Sequence, residues 1–397
     1  MPATQPLLIE ATRLFDGSAA QSATTLLVQD GAIKQVGGAV PEGVQRLIFD
    51  NATILPGLID CHVHLCFDAT ATPAENLAER DDEQALAQMA EAAQTALHAG
   101  VTTVRDLGSR GDLIFRLREQ LNATDGPHIL AAGRPLTIPS GHCWFLGGIA
   151  EDESMFLDLL RHEIDRGADV IKIMATGGAM TPSSDPSRPQ FAPEVLKRAV
   201  YLAHSLGRPV AAHALSRGGI QDALAAGVDT LEHGTFLGDD GAHVHAADVE
   251  LMRTTRTVLT PTLATVAARC TVPGATGGRL APDVSAADFW ERRRRDVGRL
   301  IYAGARVIAG SDCGVAHVPH HAVIDEVECL AATSLAPAAA LRAATGFAAD
   351  TLRLASVTGQ LKPGLRADIL VVEGDPLADL SALRRPLAVF KAGQRIR

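Results

Sequence analysis

The sequence predicts an α/β protein of the (β/α)8, or TIM-barrel, type with a small β unit assembled from its two ends. Three observations carry this reading. Between Pro56 and about Ser356, short β-rich runs alternate with Ala-rich, helix-compatible stretches, as repeated βα units around a parallel sheet require. The runs number eight: 54–64, 101–107, 128–132, 170–174, 209–213, 230–233, 258–263 and 306–312. Helix candidates at 82–99, 154–166, 193–206, 218–226 and 289–303 intervene, and each stops just before a glycine (Gly100, Gly167, Gly207, Gly227, Gly304), the residue that best tolerates a left-handed helix stop.

The chain ends have a different texture. Leu7–Ala11 and Thr25–Val28 are β-like and are broken by turn signals at Asp16-Gly17 and Asp30-Gly31. Ala367–Val372 and Ala388–Lys391 repeat the pattern around the turn Gly374-Asp375-Pro376. Chain termini often lie close together, so residues 1–55 and 357–397 are expected to pair into one satellite unit beside a barrel of residues 56–356.

Length and composition exclude several classes. A chain of 397 residues fits one barrel plus a smaller unit. With 47% hydrophobic residues and no apolar run near the ~18 residues of a membrane span, a globular protein without membrane residence is expected. A net charge of −10 disfavours a nucleic-acid partner, and the basic run Arg292–Arg295 reads as a solvated helix face. Residues 1–10 lack a basic region followed by a long apolar stretch, so a cytoplasmic location is expected. The six cysteines are scattered without a Cys-x-x-Cys pair, and reduced thiols are the default.

The chemistry begins at His62 and His64, which close the first run. On a strand, residues i and i+2 share a face, so both imidazoles can reach one metal ion. Two histidines cannot complete a coordination sphere, and further ligands are expected at comparable strand ends. Lys172 lies inside the apolar run Val170–Met174, where an ammonium is costly unless paired or neutralised. Carbamylation by carbon dioxide would convert it into an anionic group able to bridge two ions, and desolvation favours the neutral amine that this needs. His213 and His233 end the fifth and sixth runs, and Asp312 ends the eighth. Barrel enzymes assemble their sites from several such strand ends.

Taken together, His62-Val63-His64, Lys172 within Ile171–Gly178, His213, His233 and Asp312 resemble the amidohydrolase superfamily in its imidazolonepropionase-related branch. The resemblance covers essentially the whole chain, including the terminal Ala367–Val371 and Gly374–Leu377 pieces, which are similar to the family's composite β-sandwich. It implies a site with two divalent metal ions, usually zinc. His62, His64, carbamylated Lys172 and Asp312 would hold one ion, and Lys172, His213 and His233 the other. A bridging hydroxide would attack a carbonyl carbon while Asp312 shuttles the proton, hydrolysing an amide-type C–N bond. The segment Ser140–Gly148 also resembles this branch. There His142 would face the substrate carbonyl or carboxylate, and Trp144 and Phe145 would wall an apolar pocket.

Three alternatives are distinguished by particular residues. Deaminases of the superfamily carry a glutamate three residues after the fifth-strand histidine, where this chain has Ser216. Imidazolonepropionase works with one metal and without the strand-4 lysine, so Lys172 favours relatives that resemble dipeptidases, carboxypeptidases and amidases of aryl amides or carbamates. A non-catalytic assembly protein of the same fold is disfavoured because every expected ligand position is filled. Some dipeptidase relatives place a tyrosine or histidine two residues after the fifth-strand histidine. Here Leu215 stands there, which points to a more apolar substrate or to carboxylate binding by Arg188, Arg217 or His142. A homo-oligomer is expected from the resemblance, and His317, His320 and His321 receive no role.

Overall fold

The computed structural model describes residues 5–39, 42–121 and 126–397. The N-terminal part forms β1 (Leu7–Phe15), β2 (Ala20–Gln21), β3 (Thr25–Gln29), β4 (Ala32–Val36) and the long β5 (Gln45–Pro56). The C-terminal strands Ile369–Glu373, Pro386–Lys391 and Gln394–Arg395 join the same sheet, Ile369–Glu373 pairing antiparallel with β5 from Ile369↔Pro56 to Glu373↔Ala52. Ile9, Leu26, Ile54, Ile369 and Phe390 form the fully buried centre of this sheet's own apolar core.

One residue separates β5 from β6 (Leu58–Val63), the first of the parallel strands. Gly57 donates its N–H to Asp368 O at 3.0 Å, and Leu58 donates to Gly100 O at 2.9 Å, so the chain changes partners across a single glycine. A Cβ at this position would lie 2.2 Å from Thr102 Oγ1, which explains why no side chain is accommodated there.

The middle of the chain supplies β7 (Val101–Asp106), β8 (His128–Ala131), β9 (Ile171–Met174), β10 (Val210–Ser216), β11 (Thr230–Gly238), β12 (Gly241–Ala242) and β13 (Val258–Thr260). β6, β7 and β8 are parallel neighbours, as are β9, β10, β11 and β13, with β12 folding back antiparallel on β11. Isolated parallel bridges at Leu136↔Ile173, Leu259↔Val307 and Val63↔Cys313 continue the order from one group to the next and back to β6. The helices that alternate with these strands cover 82–98, 153–165, 193–205, 217–226 and 286–302, within three residues of the sequence-based limits.

The eighth expected run differs. Residues 306–312 form no regular strand and are held by single bridges and by hydrogen bonds such as Cys61 N to Ala309 O and Asp312 N to His62 O. A Cβ on Gly310 would lie 2.8 Å from His62 Cβ, so this segment approaches β6 too closely for ordinary ladder geometry. Among the described residues, no helix is long and apolar enough to cross a membrane.

Candidate metal centre

The strand ends converge. His62 and His64 sit at the end of β6 with ring centroids 5.3 Å apart, and the His233 ring lies 5.2 Å from His62. His213 is 4.7 Å from His233, and His142 is 4.4 Å from His213. Asp312 Oδ1 lies 3.4 Å from the Nε2 atoms of both His62 and His64. Among the described residues, His62, His64 and Asp312 bring donor atoms within 4.8 Å of one another.

Each imidazole commits one ring nitrogen to the protein and leaves the other without a hydrogen bond among the described residues, although Nε2 of His62 and of His64 lies near Asp312. His62 Nδ1 is 2.8 Å from Glu232 Oε2, and His64 Nδ1 is 2.9 Å from Gly108 O. His233 Nδ1 is 2.8 Å from Thr262 Oγ1, whereas His213 uses Nε2, 3.1 Å from Gly177 O. Nε2 of His62, His64 and His233 and Nδ1 of His213 thus remain available as ligand atoms. Partners of this kind fix ring orientation in metal sites. Burial lowers the pKa of all four imidazoles, His64 to about 4, so at neutral pH they are the uncharged bases that metal ligation needs.

Lys172 is the other marker. It is 1% exposed, and its Nζ has no hydrogen-bond partner among the described residues, although it lies on a strand between two groups of histidines. Burial lowers its pKa against the opposing pull of Glu232 and Asp312. Burial also raises Asp312 above the ordinary carboxylate range, against the pull of Lys172. An orphaned, desolvated amine beside four neutral imidazoles and a carboxylate fits a divalent metal site with a modified lysine, and the donor set is of the N/O type that zinc and similar ions take.

Several supporting residues were not singled out from the sequence. Glu232 accepts from Arg105 Nη2 at 3.0 Å as well as holding His62, and Arg105 Nε donates to Cys61 O at 2.6 Å. Asp60 accepts from Ser311 N at 2.9 Å, from Ser311 Oγ at 2.5 Å and from His62 N at 3.2 Å, tying β6 to the residue before Asp312. A charged residue inside an apolar β run was the available signal in each case, the same signal that marked Lys172.

The basic run 292–295 also departs from expectation. Arg293 is 1% exposed and lines the cavity, donating Nη2 to His233 O at 2.9 Å and Nη1 to Gly234 O at 3.2 Å. Four consecutive helical residues sweep most of the way around the axis, so one of them faces inward. His233 and Gly234 both have left-handed φ, +70° and +57°, and Arg293 clasps the carbonyls of this bend.

A cavity of about 290 Å³ opens above these groups. His142 and Leu215 line it, and Phe67, Met180, Val266, Leu280 and Phe289 give it apolar walls. The His142 ring packs on Gly178, where a Cβ would lie 2.4 Å from three ring atoms, and its Nδ1 is 3.2 Å from Thr181 Oγ1.

Four expected substrate contacts, Trp144, Phe145, Arg188 and Arg217, are not in the lining. Trp144 is 43% exposed because left-handed Cys143 (φ +53°) turns the chain outward, and it contacts Phe145, which in turn packs against Phe67. Arg217, half-buried at the start of its helix, pairs with Asp248 Oδ2 at 3.1 Å and Asp240 Oδ1 at 3.6 Å. Arg188 is an exposed partner of Asp185. Buried His320 donates Nε2–H to Phe67 O at 3.0 Å, while His317 and His321 stay out of the lining.

Comparison with known proteins adds the family. Ochratoxinase from Aspergillus niger is 28% identical over 412 residues, spanning 94% of this chain and 82% of that protein. Imidazolonepropionase from Salinispora tropica is 24% identical over 390 residues, 88% of this chain and 85% of its own length. The solved structure of a Xaa-Pro dipeptidase with methionine bound in its active site aligns with a TM-score of 0.84 at 26% identity, covering 98% of this chain and 99% of the other. With residues 53–396 matching the Amidohydrolase family model, and with imidazolonepropionase among its relatives, the chain belongs to the amidohydrolase family.

Proposed function

We propose that this protein hydrolyses an amide-type C–N bond in a dipeptide, N-acyl amino acid, aryl amide or carbamate, at a centre holding two divalent metal ions. The observation that carries the reading is the set of uncommitted imidazole nitrogens around the orphaned Lys172 amine. In this reading the parallel strands close into an eight-fold barrel whose strand ends carry the site, and the terminal segments form a composite β-sandwich beside it. His62, His64, Asp312 and carbamylated Lys172 would hold one ion, and Lys172, His213 and His233 the other, with zinc as the first choice.

Bound at such a site, divalent cations polarise a carbonyl oxygen and make bound water acidic enough to attack at neutral pH. The chain's own residues do the rest. Asp312 accepts the proton that the attacking water loses as the new C–O bond forms, and delivers it to the departing nitrogen as the C–N bond breaks. His142, fixed by Gly178 and Thr181, hydrogen-bonds the oxygen of the reacting carbonyl. Leu215 and the apolar walls exclude water around the substrate body.

The test combines metal analysis with a substrate panel. Purified protein should contain close to two equivalents of transition metal and should release amine from at least one of the panel classes. Loss of that activity on chelation and its return with zinc are the expected results. Protein without bound metal after growth in metal-replete medium would remove the proposal.

A further inference from the structure

The cavity's cationic groups are unequal. Among its described lining residues the cations are Lys172, Arg269 and Arg293. Lys172 sits at the floor among the metal-centre histidines, and Arg293 spends its guanidinium on the carbonyls of His233 and Gly234. Arg269, exposed at the rim, has no hydrogen bond or ion pair among the described residues.

Arg269 is nonetheless held in place. Its guanidinium lies flat against Gly278, where a Cβ would fall 2.8 Å from Nη1, 3.0 Å from Cζ and 3.2 Å from Nη2. Gly278 (φ +65°) belongs to a short turn that its neighbour Arg279 anchors, donating to Gly178 O, Thr181 O and Ser184 O. This arrangement leaves the guanidinium's donors toward the cavity unused while restricting its motion, which lowers the entropic cost of binding.

Position completes the argument. Arg269 ends the helix Leu263–Arg269, and Thr262, the residue before that helix, is the one that holds His233. Seven residues of helix separate the two by roughly 10 Å. Val266, between them, and Leu280 and Phe289 make the intervening wall apolar. A substrate spanning this distance has its cleaved bond at the floor, an apolar body along the wall and an anionic group at the rim.

We infer that Arg269 is a specificity-determining residue that binds the carboxylate of an acidic amide whose apolar, ring-sized body separates that carboxylate from the cleaved bond. This rests on the hydrolase reading above and names its substrate class. It also replaces Arg188 and Arg217 as the carboxylate partner, since neither reaches the cavity.

The experiment uses matched probes: 4-acetamidophenylacetate and its neutral carboxamide, with anilide cleavage followed as aniline release. Wild-type protein should favour the acid. R269A should raise KM for the acid at least tenfold with little change in kcat, and leave the carboxamide unchanged. R269K should recover part of the loss, because it restores charge without the planar fork.

Binding of the non-hydrolysable ketone, 4-(2-oxopropyl)phenylacetate, and its carboxamide is measured in parallel by calorimetry on metal-loaded protein. Equal effects of R269A on acid and carboxamide, no effect on either, or no binding of the ketone acid would each overturn the inference. Arg269-dependent binding of the ketone acid without turnover of either anilide would sustain it while removing the hydrolase reading. Turnover of both anilides, indifferent to R269A, would do the reverse.

Discussion

His62 Nδ1 lies 2.8 Å from Glu232 Oε2, and the other oxygen of that carboxylate is 3.0 Å from Arg105 Nη2. The first histidine of the site is therefore aimed by an ion pair buried beneath it, with Glu232 fully enclosed. E232Q keeps the shape but removes the charge that balances Arg105 and makes His62 more basic. Metal affinity should fall about tenfold or more, in line with the usual effect of altering a partner of a ligating histidine. Chelator competition measures it, and unchanged affinity would separate Glu232 from the metal centre.

Arg293 fixes the left-handed bend that carries His233. R293M should leave most of the buried volume filled while freeing the carbonyls of His233 and Gly234. The expected result is a fall in kcat of about tenfold or more together with weaker retention of one metal equivalent, since misplacing a site group by a fraction of an ångström is costly. A variant that lost thermal stability alone, with normal kcat and metal content, would make Arg293 a packing residue only.

Gly178 offers a narrow probe of His142. Its backbone lies outside the left-handed region, so G178A is tolerated locally, yet the added methyl would overlap the His142 ring. The ring must move, and activity should drop at least tenfold with little change in melting temperature. Full activity in G178A would show that His142 does not need its present position.

Arg217 belongs to the frame. It neutralises Asp248, whose side chain is 1% exposed, so R217A should destabilise the fold by about 1–3 kcal/mol through an uncompensated buried carboxylate. Kinetic constants of the surviving folded protein should match wild type. A rise in KM without loss of stability would return Arg217 to the substrate.

Glu326 gives a pH signature. It is buried and accepts Ala264 N–H at 2.7 Å, yet burial raises its carboxyl to about 8 from an ordinary value of 4.5. Between those values the folded state binds the proton more tightly than the unfolded chain. Stability from this group is therefore fully present below pH 4.5 and is lost as pH rises toward 8, by up to ~1.4 kcal/mol per pH unit. E326Q should flatten that part of the stability–pH curve, and denaturant midpoints at pH 5, 6.5 and 8 read it directly. An unchanged slope would assign the dependence elsewhere.

What could be read from the sequence depended on chain-local geometry. His62 and His64 share a face because strand side chains alternate, and Lys172 stood out because apolar strands rarely carry an ammonium; the structure brings both beside His213, His233 and Asp312. Trp144 misled because the direction of its loop turns on left-handed backbone at Ser140, Cys143 and Gly147. Arg217 misled because it opens its helix directly after β10 and turns to the buried Asp248 of a later helix, a partner 31 residues on. Arg293 was hidden within a run of like charges, and Glu232 beside a more conspicuous histidine. The pairings of Arg293 and Glu232 span about 60 residues or more, and no local pattern encodes a partner at such separations.

Gly57 has one more consequence, for the order in which the chain can be completed during synthesis. β5 gains β1 as a neighbour as soon as the two strands are made, but its other edge pairs with Ile369–Glu373, some 310 residues further along the chain. Until then the strand leading directly into His62 carries an open edge, a template for pairing with other nascent chains. The ribosome must therefore add the roughly 310 residues between Pro56 and Ile369 before the backbone that bears the first two ligands is secured on both sides.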